Sequence, residues 1–367
     1  MARFEGALAR AAASQGFLSR EHAEAISHVC ERAIFDIPAL IRDGREGTLA
    51  IPFVKQLSAQ VRAVSPEAAK HVHAGATSQD VIDTGAVLCL KPACGHVASL
   101  TTKLGNAAAR LARDHAETPT VGRTLLQPAL PVTFGWKAAV WLSMISRSLA
   151  GLRNSAKNAC ALQFGGPSGT LNSFGERGNA VMKALALDLE LPASVVPWHS
   201  ARDRFARLGA ELAILAGAAG KIGRDVSLLM QLEVGEAAEP AKAGRGGSSS
   251  MAHKRNPVLS MLALEAAQRT PGLAGTLLAQ LTPEHERGLG QWQSQWFTLR
   301  ELLCATASGV AAMGDALEGL EVDEQAMQGN LASLLETQTT NAFGSARAMI
   351  EHALAEWQAA TSTGTAP

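Results

Sequence analysis

The sequence predicts an all-α protein built on long helices, and three observations carry that expectation. Apolar stripes at heptad spacing run through three segments longer than an ordinary globular helix. Aromatic residues make up only 4% of the chain, with no tyrosine. The 47% hydrophobic content leans on alanine and leucine, which suit packed helices better than sheets.

The clearest stripe follows Ser200: Phe205, Leu208, Leu212, Leu215, Ala219, Ile222, Val226 and Leu229 alternate at steps of three and four. Ser200 and Asp203 are spaced as a capping box that would open this helix, expected over 200–232. Beside the stripe, Gly209, Ala213, Ala216, Gly220 and Gly223 repeat with the same spacing and only small side chains, so a second backbone can come close. In a bundle such a stripe often packs against another subunit, and a homo-oligomer is expected. A second helix is expected to begin at Pro131 and to run through Ala138, Trp141, Ile145, Leu149 and Leu152. A third carries Leu299, Leu303, Ala307, Val310, Met313, Leu317 and Leu320. The N-terminal MARFEGALARAAASQG has no uninterrupted apolar run and reads as a helix, not a leader. The longest apolar stretches are broken by Lys137 and Lys221, short of the ~20 residues a membrane span needs.

Charge narrows the function classes. Lys and Arg number 33, as do Asp and Glu, so there is no global basic field for nucleic acid or an acidic membrane surface, and any anion site must be local. The 5 cysteines are odd in number and form no CxxC pair, which suggests neither a disulfide framework nor a zinc site and fits a reducing cytoplasm. Function is expected in the irregular segments 71–80, 119–131, 163–173 and 240–257. The last contains no acidic residue after Pro240 while carrying Lys242, Arg245, Lys254, Arg255 and His253. Its glycines 244, 246 and 247 and serines 248 to 250 could hold an anion or form a flexible linker. It lacks the Gly-Lys-Ser/Thr order of a Walker loop, and no serine sits in G-x-S-x-G.

The run from Gly247 to Asn256, GSSSMAHKRN, closely resembles the signature G-S-S-x-M-P-x-K-x-N of the fumarase/aspartase superfamily. The stretches HAGATSQD from His73 and GRTLLQ from Gly122 look like its other two active-site regions, in the same order. Within the superfamily, TSQDVIDTG, LLQPALPVTFGWK, QLEVGEAAEP and EHERGLGQWQSQW are most similar to the 3-carboxy-cis,cis-muconate cycloisomerase family. There are departures. Leu125 stands where relatives place a histidine after Gly-Arg-Thr, Ala252 replaces the signature proline, and the chain ends about where the family continues into a C-terminal helical domain.

The resemblance implies a fumarase/aspartase-type helix bundle divided into an N-terminal domain over 1–92, a central long-helix domain over 93–335 that carries the 240–257 loop, and a reduced C-terminal remnant and tail over 336–367. It implies lactonisation of a muconate with an acidic 3-substituent, in protocatechuate-type aromatic degradation, by a homotetramer with shared active sites and no metal or redox cofactor. Ser248 is the implied acid/base and Lys254 its catalytic partner. The implied substrate ligands are His73, Thr77, Ser78, Gln79, Arg123, Thr124, Gln127, His199, Ser249, Asn256 and Arg287. Several have a plainer reading. Thr77 is placed to cap the helix that follows, Arg123 to make a structural salt bridge, the two histidines to be satisfied in the core, and Arg287, with His285, to open a helix after Thr282-Pro283. Two alternatives stand beside this function: an adenylosuccinate-type lyase releasing fumarate, against which Leu125 argues, and a relative that has kept the fold and lost catalysis. A metal-dependent barrel cycloisomerase is excluded by the absence of alternating strand patterns.

Overall fold

The structure is a computed structural model that describes residues 1–242, 244–247, 251, 254–334 and 343–362. Its helices are α1 (Ala2–Ser14), α2 (Arg20–Arg32), α3 (Ile37–Asp43), α4 (Ala50–Val64), α5 (Ser78–Asp114), α6 (Phe134–Ala159), α7 (Gly178–Asp188), α8 (Asp203–Leu229), α9 (Val258–Leu278), α10 (Gln291–Glu318), α11 (Glu324–Leu334) and α12 (Ala346–Ser362). Two small antiparallel pairs complete it: β1 (Pro119–Thr124) with β2 (Gln127–Thr133), and β3 (Ala237–Ala238) with β4 (Glu321–Val322). The all-α expectation holds, with these hairpin-scale strands added. No helix among the described residues is long and apolar enough to cross a membrane.

The chain divides into two compact units. The first comprises Met1–Pro92, Lys157–Arg204 and Gln280–Trp292. Here Phe4, Ala7, Leu8, Ala11 and Ala12 form the buried face of α1, which packs on α2 and α7. Ser19 opens α2 by accepting from the His22 amide at 3.2 Å, and Asp36 opens α3 by accepting from the Ala39 amide at 3.0 Å, each satisfying an otherwise orphaned donor. The Phe174 ring touches those of Phe17 and Phe164 at centroid distances of 5.0 and 5.9 Å. It also lies over Gly75, where a Cβ would sit 2.4 Å from the ring and φ is +76°, so only glycine fits that turn.

The second unit comprises Ala93–Ala156, Phe205–Ala279 and Gln293–Pro367. Every residue of the stripe from Phe205 to Leu229 is buried, as its period predicts. The small-residue stripe has a different partner from the one expected. A Cβ at Gly220 would lie 2.3 Å from Ala267 Cβ, one at Gly223 would lie 3.1 Å from the Ser260 carbonyl, and Gly209 faces Leu277, so α9 of the same chain fills the groove. The expected start of α8 also moves. Its first helical residue is Asp203, which places Ser200 outside the capping register, because Arg202 is drawn inward by an ion pair with Asp83. On α10 the buried face runs through Leu302 and Thr306, one residue short of the expected Leu303 and Ala307.

Residues 119–131 form a hairpin, and Pro131 lies in β2; α6 starts at Phe134, with Thr133 Oγ1 accepting from the Trp136 amide at 3.1 Å. The hairpin turns through Leu125 and Leu126, both in the left-handed region at φ 52° and 64°, a primed turn that leucine seldom makes. Its prolines are tolerated because a two-stranded ribbon has only edge strands. His285 and Arg287 do not open a helix: α10 begins at Gln291, after a turn in which the Glu284 carboxylate accepts from the Leu289 amide and the Gln291 side chain. Near the C-terminus, Trp357 of α12 fills the slot left by Gly105 on α5 and donates to Asn106 Oδ1 at 3.0 Å.

Candidate functional site

In the first unit, six of the residues expected at the site gather about the N-terminus of α5. The organising group is Asp80, fully buried in the first turn, where a carboxylate is favoured by the helix dipole. Its oxygens accept from the amides of Thr77, Gly165 and Gly166 at 3.0, 3.0 and 2.9 Å, and Oδ1 lies 2.7 Å from His199 Nε2. Thr77 precedes the helix as expected, but it is the Asp80 side chain that reaches back to the Thr77 amide, while the Thr77 hydroxyl accepts from Arg287 at 3.1 Å. Arg287 also donates to the Pro167 carbonyl at 3.1 Å, so it ties loop 280–290 to loop 163–170. Gln79 is buried: its amide donates to the His199 carbonyl at 2.9 Å, and its Oε1 has no hydrogen-bond partner among the described residues. Ser78 is the first residue of α5.

His73 sits at φ 63° with Nδ1 2.6 Å from Glu5 Oε1. Burial alone would depress its pKa, but the Glu5 hydrogen bond and the charges of Glu5 and Asp80 outweigh it, and the imidazole is held above its ordinary value. One helical turn beyond Asp80, Asp83 accepts from both ends of the Arg202 guanidinium at 2.6 and 3.2 Å and from Trp292 Nε1 at 3.0 Å. Trp292 is therefore buried with a polar tether.

In the second unit, the carboxylate that Arg123 holds is that of Glu236, in a bidentate pair at 2.6 and 3.0 Å. Thr120 and Asn330 complete the shell of Glu236 at 3.0 and 2.9 Å. Burial pushes that carboxyl up, yet these donors outweigh it and keep its pKa below the usual carboxylate range. Lys137 donates to the Val121 carbonyl at 3.2 Å, and burial followed by the Arg123 charge holds its pKa down. Thr124 and Gln127 pair with each other across the exposed hairpin tip.

Described residues of the signature segment and of the stretch before it line a cavity of about 300 Å³: Glu239, Lys242, Arg245, Lys254, Arg255 and Asn256 together with Gly246 and Gly247. Arg255 pairs with Glu321 at 2.9 Å; Lys254 makes no ion pair among the described residues. Ser248 and Ser249 lie outside the described residues. The glycines bring the two arms of the segment together, since Asn256 N–H donates to the Gly246 carbonyl at 2.8 Å and a Cβ at Gly246 would collide with Asn256.

Glu5, Asp80, Asp83, Glu236 and Glu239 are not among the site residues expected from the sequence. All are acidic and buried. Asp80 and Asp83, three apart in TSQDVIDTG, share one helix face, and Glu236 and Glu239 flank an Ala-Ala pair in GEAAEP. Acidic residues at such spacing in otherwise apolar segments were the available signal.

A family model described as a lyase matches residues 1–272. The chain is 47% identical over 332 residues to a 3-carboxy-cis,cis-muconate cycloisomerase of Bradyrhizobium diazoefficiens, covering 90% of this chain and 74% of the relative. It is 40% identical over 342 residues to a nitrosuccinate lyase of Streptomyces davaonensis, covering 90% and 72%. Among solved structures, that of 3-carboxy-cis,cis-muconate lactonizing enzyme from Pseudomonas putida matches with a TM-score of 0.89 at 35% identity, over 98% of this chain and 94% of that one.

Proposed function

The chain belongs to the lyase family that matches it over residues 1–272, and on that premise we propose that it is a cycloisomerase. It closes 3-carboxy-cis,cis-muconate, or a muconate with another acidic group on carbon 3, to the corresponding muconolactone. The observation that carries this reading is the 47% identity across 90% of the chain to the Bradyrhizobium cycloisomerase. The geometry supports it through the cavity walled by Lys242, Arg245, Lys254 and Arg255, whose charge suits a ligand with several carboxylates.

One substrate carboxylate attacks an alkene carbon of the same molecule; the C–O bond forms as the alkene pair moves to the neighbouring carbon, which is then protonated. The nucleophile is already tethered, so holding the chain folded in a near-attack geometry supplies much of the rate. Negative charge grows on the carbon beside the acidic substituent, and fixed cations stabilise it. Lys254, the lysine of the signature and unpaired among the described residues, is assigned this stabilisation, and Ser248 is assigned the proton transfer. The Arg123–Glu236 pair is neutral as a unit, so the hairpin contributes Thr124 and Gln127 at its tip. In the first unit His73, Thr77, Ser78, Gln79, His199 and Arg287 are assigned to substrate carboxylates.

The enzyme works in the cytoplasm as a homotetramer whose sites are shared between subunits. The small-residue stripe does not argue for this assembly, since α9 occupies it. Support comes from Leu125, Leu126 and Leu130, which stand 96%, 78% and 76% exposed on one hairpin, an apolar patch of the kind subunits cover. Light scattering reads the assembly, and a mixture of Ser248→Ala and Gln127→Ala chains should regain activity if sites are shared. The reaction needs no metal, so chelator-dialysed enzyme should bleach 3-carboxymuconate absorbance at the undialysed rate; restoration only by a divalent ion would overturn this. Fumarate released from adenylosuccinate, with muconate untouched, would favour the lyase alternative.

A further inference from the structure

Helix α9 starts without a local cap. The residue before it is Pro257, which makes no side-chain capping bond, so the amides of Leu259 and Ser260 in its first turn need an acceptor from elsewhere. They find it in Glu239, which is 4% exposed. Oε2 accepts from Leu259 N at 3.0 Å, and Oε1 accepts from Ser260 N at 2.7 Å and Ser260 Oγ at 2.8 Å. Glu239 immediately precedes the cationic segment and the capped helix immediately follows it. The carbonyl of the same residue accepts from Arg255 at 2.6 Å, and Asn256 meets Gly246 one step further in. These contacts form successive rungs of a stem, with one side chain at its base.

We propose that Glu239 is the positioning residue of the cationic cavity: by capping α9 from the far end of the 240–257 segment, it locks the two ends together and so keeps Lys242, Arg245 and Lys254 around one polyanion. This rests on the reading that the cavity takes the muconate. Two other accounts of Glu239 give different results. If it acts only through its charge, it repels an anionic ligand, and removing that charge tightens binding. If it serves only the fold, its removal lowers stability and the active fraction while leaving KM alone. Positioning predicts weaker binding despite the gain in positive charge.

The test compares parent, Glu239→Gln, Ser260→Ala and both combined, each also with Lys254→Ala. Muconate kinetics give KM and kcat, and calorimetry with propane-1,2,3-tricarboxylate gives anion affinity independently of turnover. Glu239→Gln should raise KM and the tricarboxylate Kd about tenfold, the scale of a lost charge-assisted hydrogen bond set. Ser260→Ala should act in the same direction by less, and the double variant should be no worse than Glu239→Gln. Lys254→Ala should cost much less affinity in the Glu239→Gln background than in the parent, because the lysine is no longer held. Tighter binding, or KM and Kd within twofold of the parent, overturns the proposal, as does a parent that binds no tricarboxylate. Should Glu239→Gln fail to fold, Ser260→Ala with unchanged KM and Kd overturns it alone. A parent that binds tricarboxylate without lactonising muconate removes the proposed activity and leaves the Kd comparison to decide the role of Glu239.

Discussion

The buried acids at the start of α5 in the first unit and the cationic segment of the second treat charge in opposite ways. In the first, Asp80 and Asp83 are buried, and glycine amides, His199, Arg202 and Trp292 all converge on them. In the second, Lys254 stands exposed and makes no ion pair among the described residues, on a glycine-rich segment around an open cavity, while its neighbour Arg255 is held by Glu321. A buried carboxylate with every donor already aimed at it holds a fold, since a ligand would have to displace bonds the protein has made. An exposed cation with no fixed partner is free to take a ligand's charge. Substitutions at Asp80 and Asp83 should therefore read out in stability, and those at Ser248 and Lys254 in turnover and binding.

The largest effect is expected at Ser248. General acid/base catalysis is worth about 10²–10⁴-fold, so Ser248→Ala should lose kcat by about that factor and keep substrate affinity, whereas Lys254→Ala should weaken both. Turnover within about threefold of the parent would break the comparison and move proton transfer to His73 or His199. Next comes Asp83→Ala, which takes the bidentate carboxylate from Arg202, a residue of 2% side-chain exposure; urea unfolding should show a loss of about 3–5 kcal/mol. An Asp83→Ala protein as stable as the parent would mean that the buried knot is not structural.

A subtler effect concerns pH. His73 is raised from its ordinary 6.5 through Glu5 and Asp80 against the depressing effect of burial. Its folded pKa exceeds its unfolded one, so the stabilisation is fully present below pH 6.5 and is lost as pH rises through the folded value. Thermal midpoints between pH 6 and 9 should show that decline, and Glu5→Gln should flatten it; an equally steep decline in the variant would assign the proton elsewhere. The smallest effect belongs to Arg255→Ala. Its pair with Glu321 is about half exposed on both sides, and such pairs are worth about 0–1 kcal/mol. Stability should hardly change by denaturant titration, so any marked loss would show that the loop stem relies on it.

Legibility followed sequence distance. The α8 stripe could be read because all its buried members lie within 25 residues on one 3.6-residue period. The hairpin could not, because leucine in a left-handed turn contradicts the residue preferences that announce such turns. The candidate site was half legible. The acid-free segment from Lys242 to Asn256 was visible as composition, and it does line a cavity. Arg123 was visible as a cation, but the choice between a ligand carboxylate and a structural one turned on Glu236, which lies 113 positions away.

By itself the sequence determined the helical class, the faces of the long helices and the places where cations gather on glycine-rich loops. These follow from period and composition, which act over a turn or two of chain. Tertiary structure alone decided which charges are spent within the protein and which remain for a ligand. It sent the small-residue stripe of α8 to α9, drew Arg202 to Asp83, and gave α9 a cap from Glu239, 20 residues before Leu259. The reason is that burial makes an unpaired polar group costly, so each buried acid takes whatever donor the packed chain brings within about 3 Å, and that donor is set by the fold and not by neighbours in sequence.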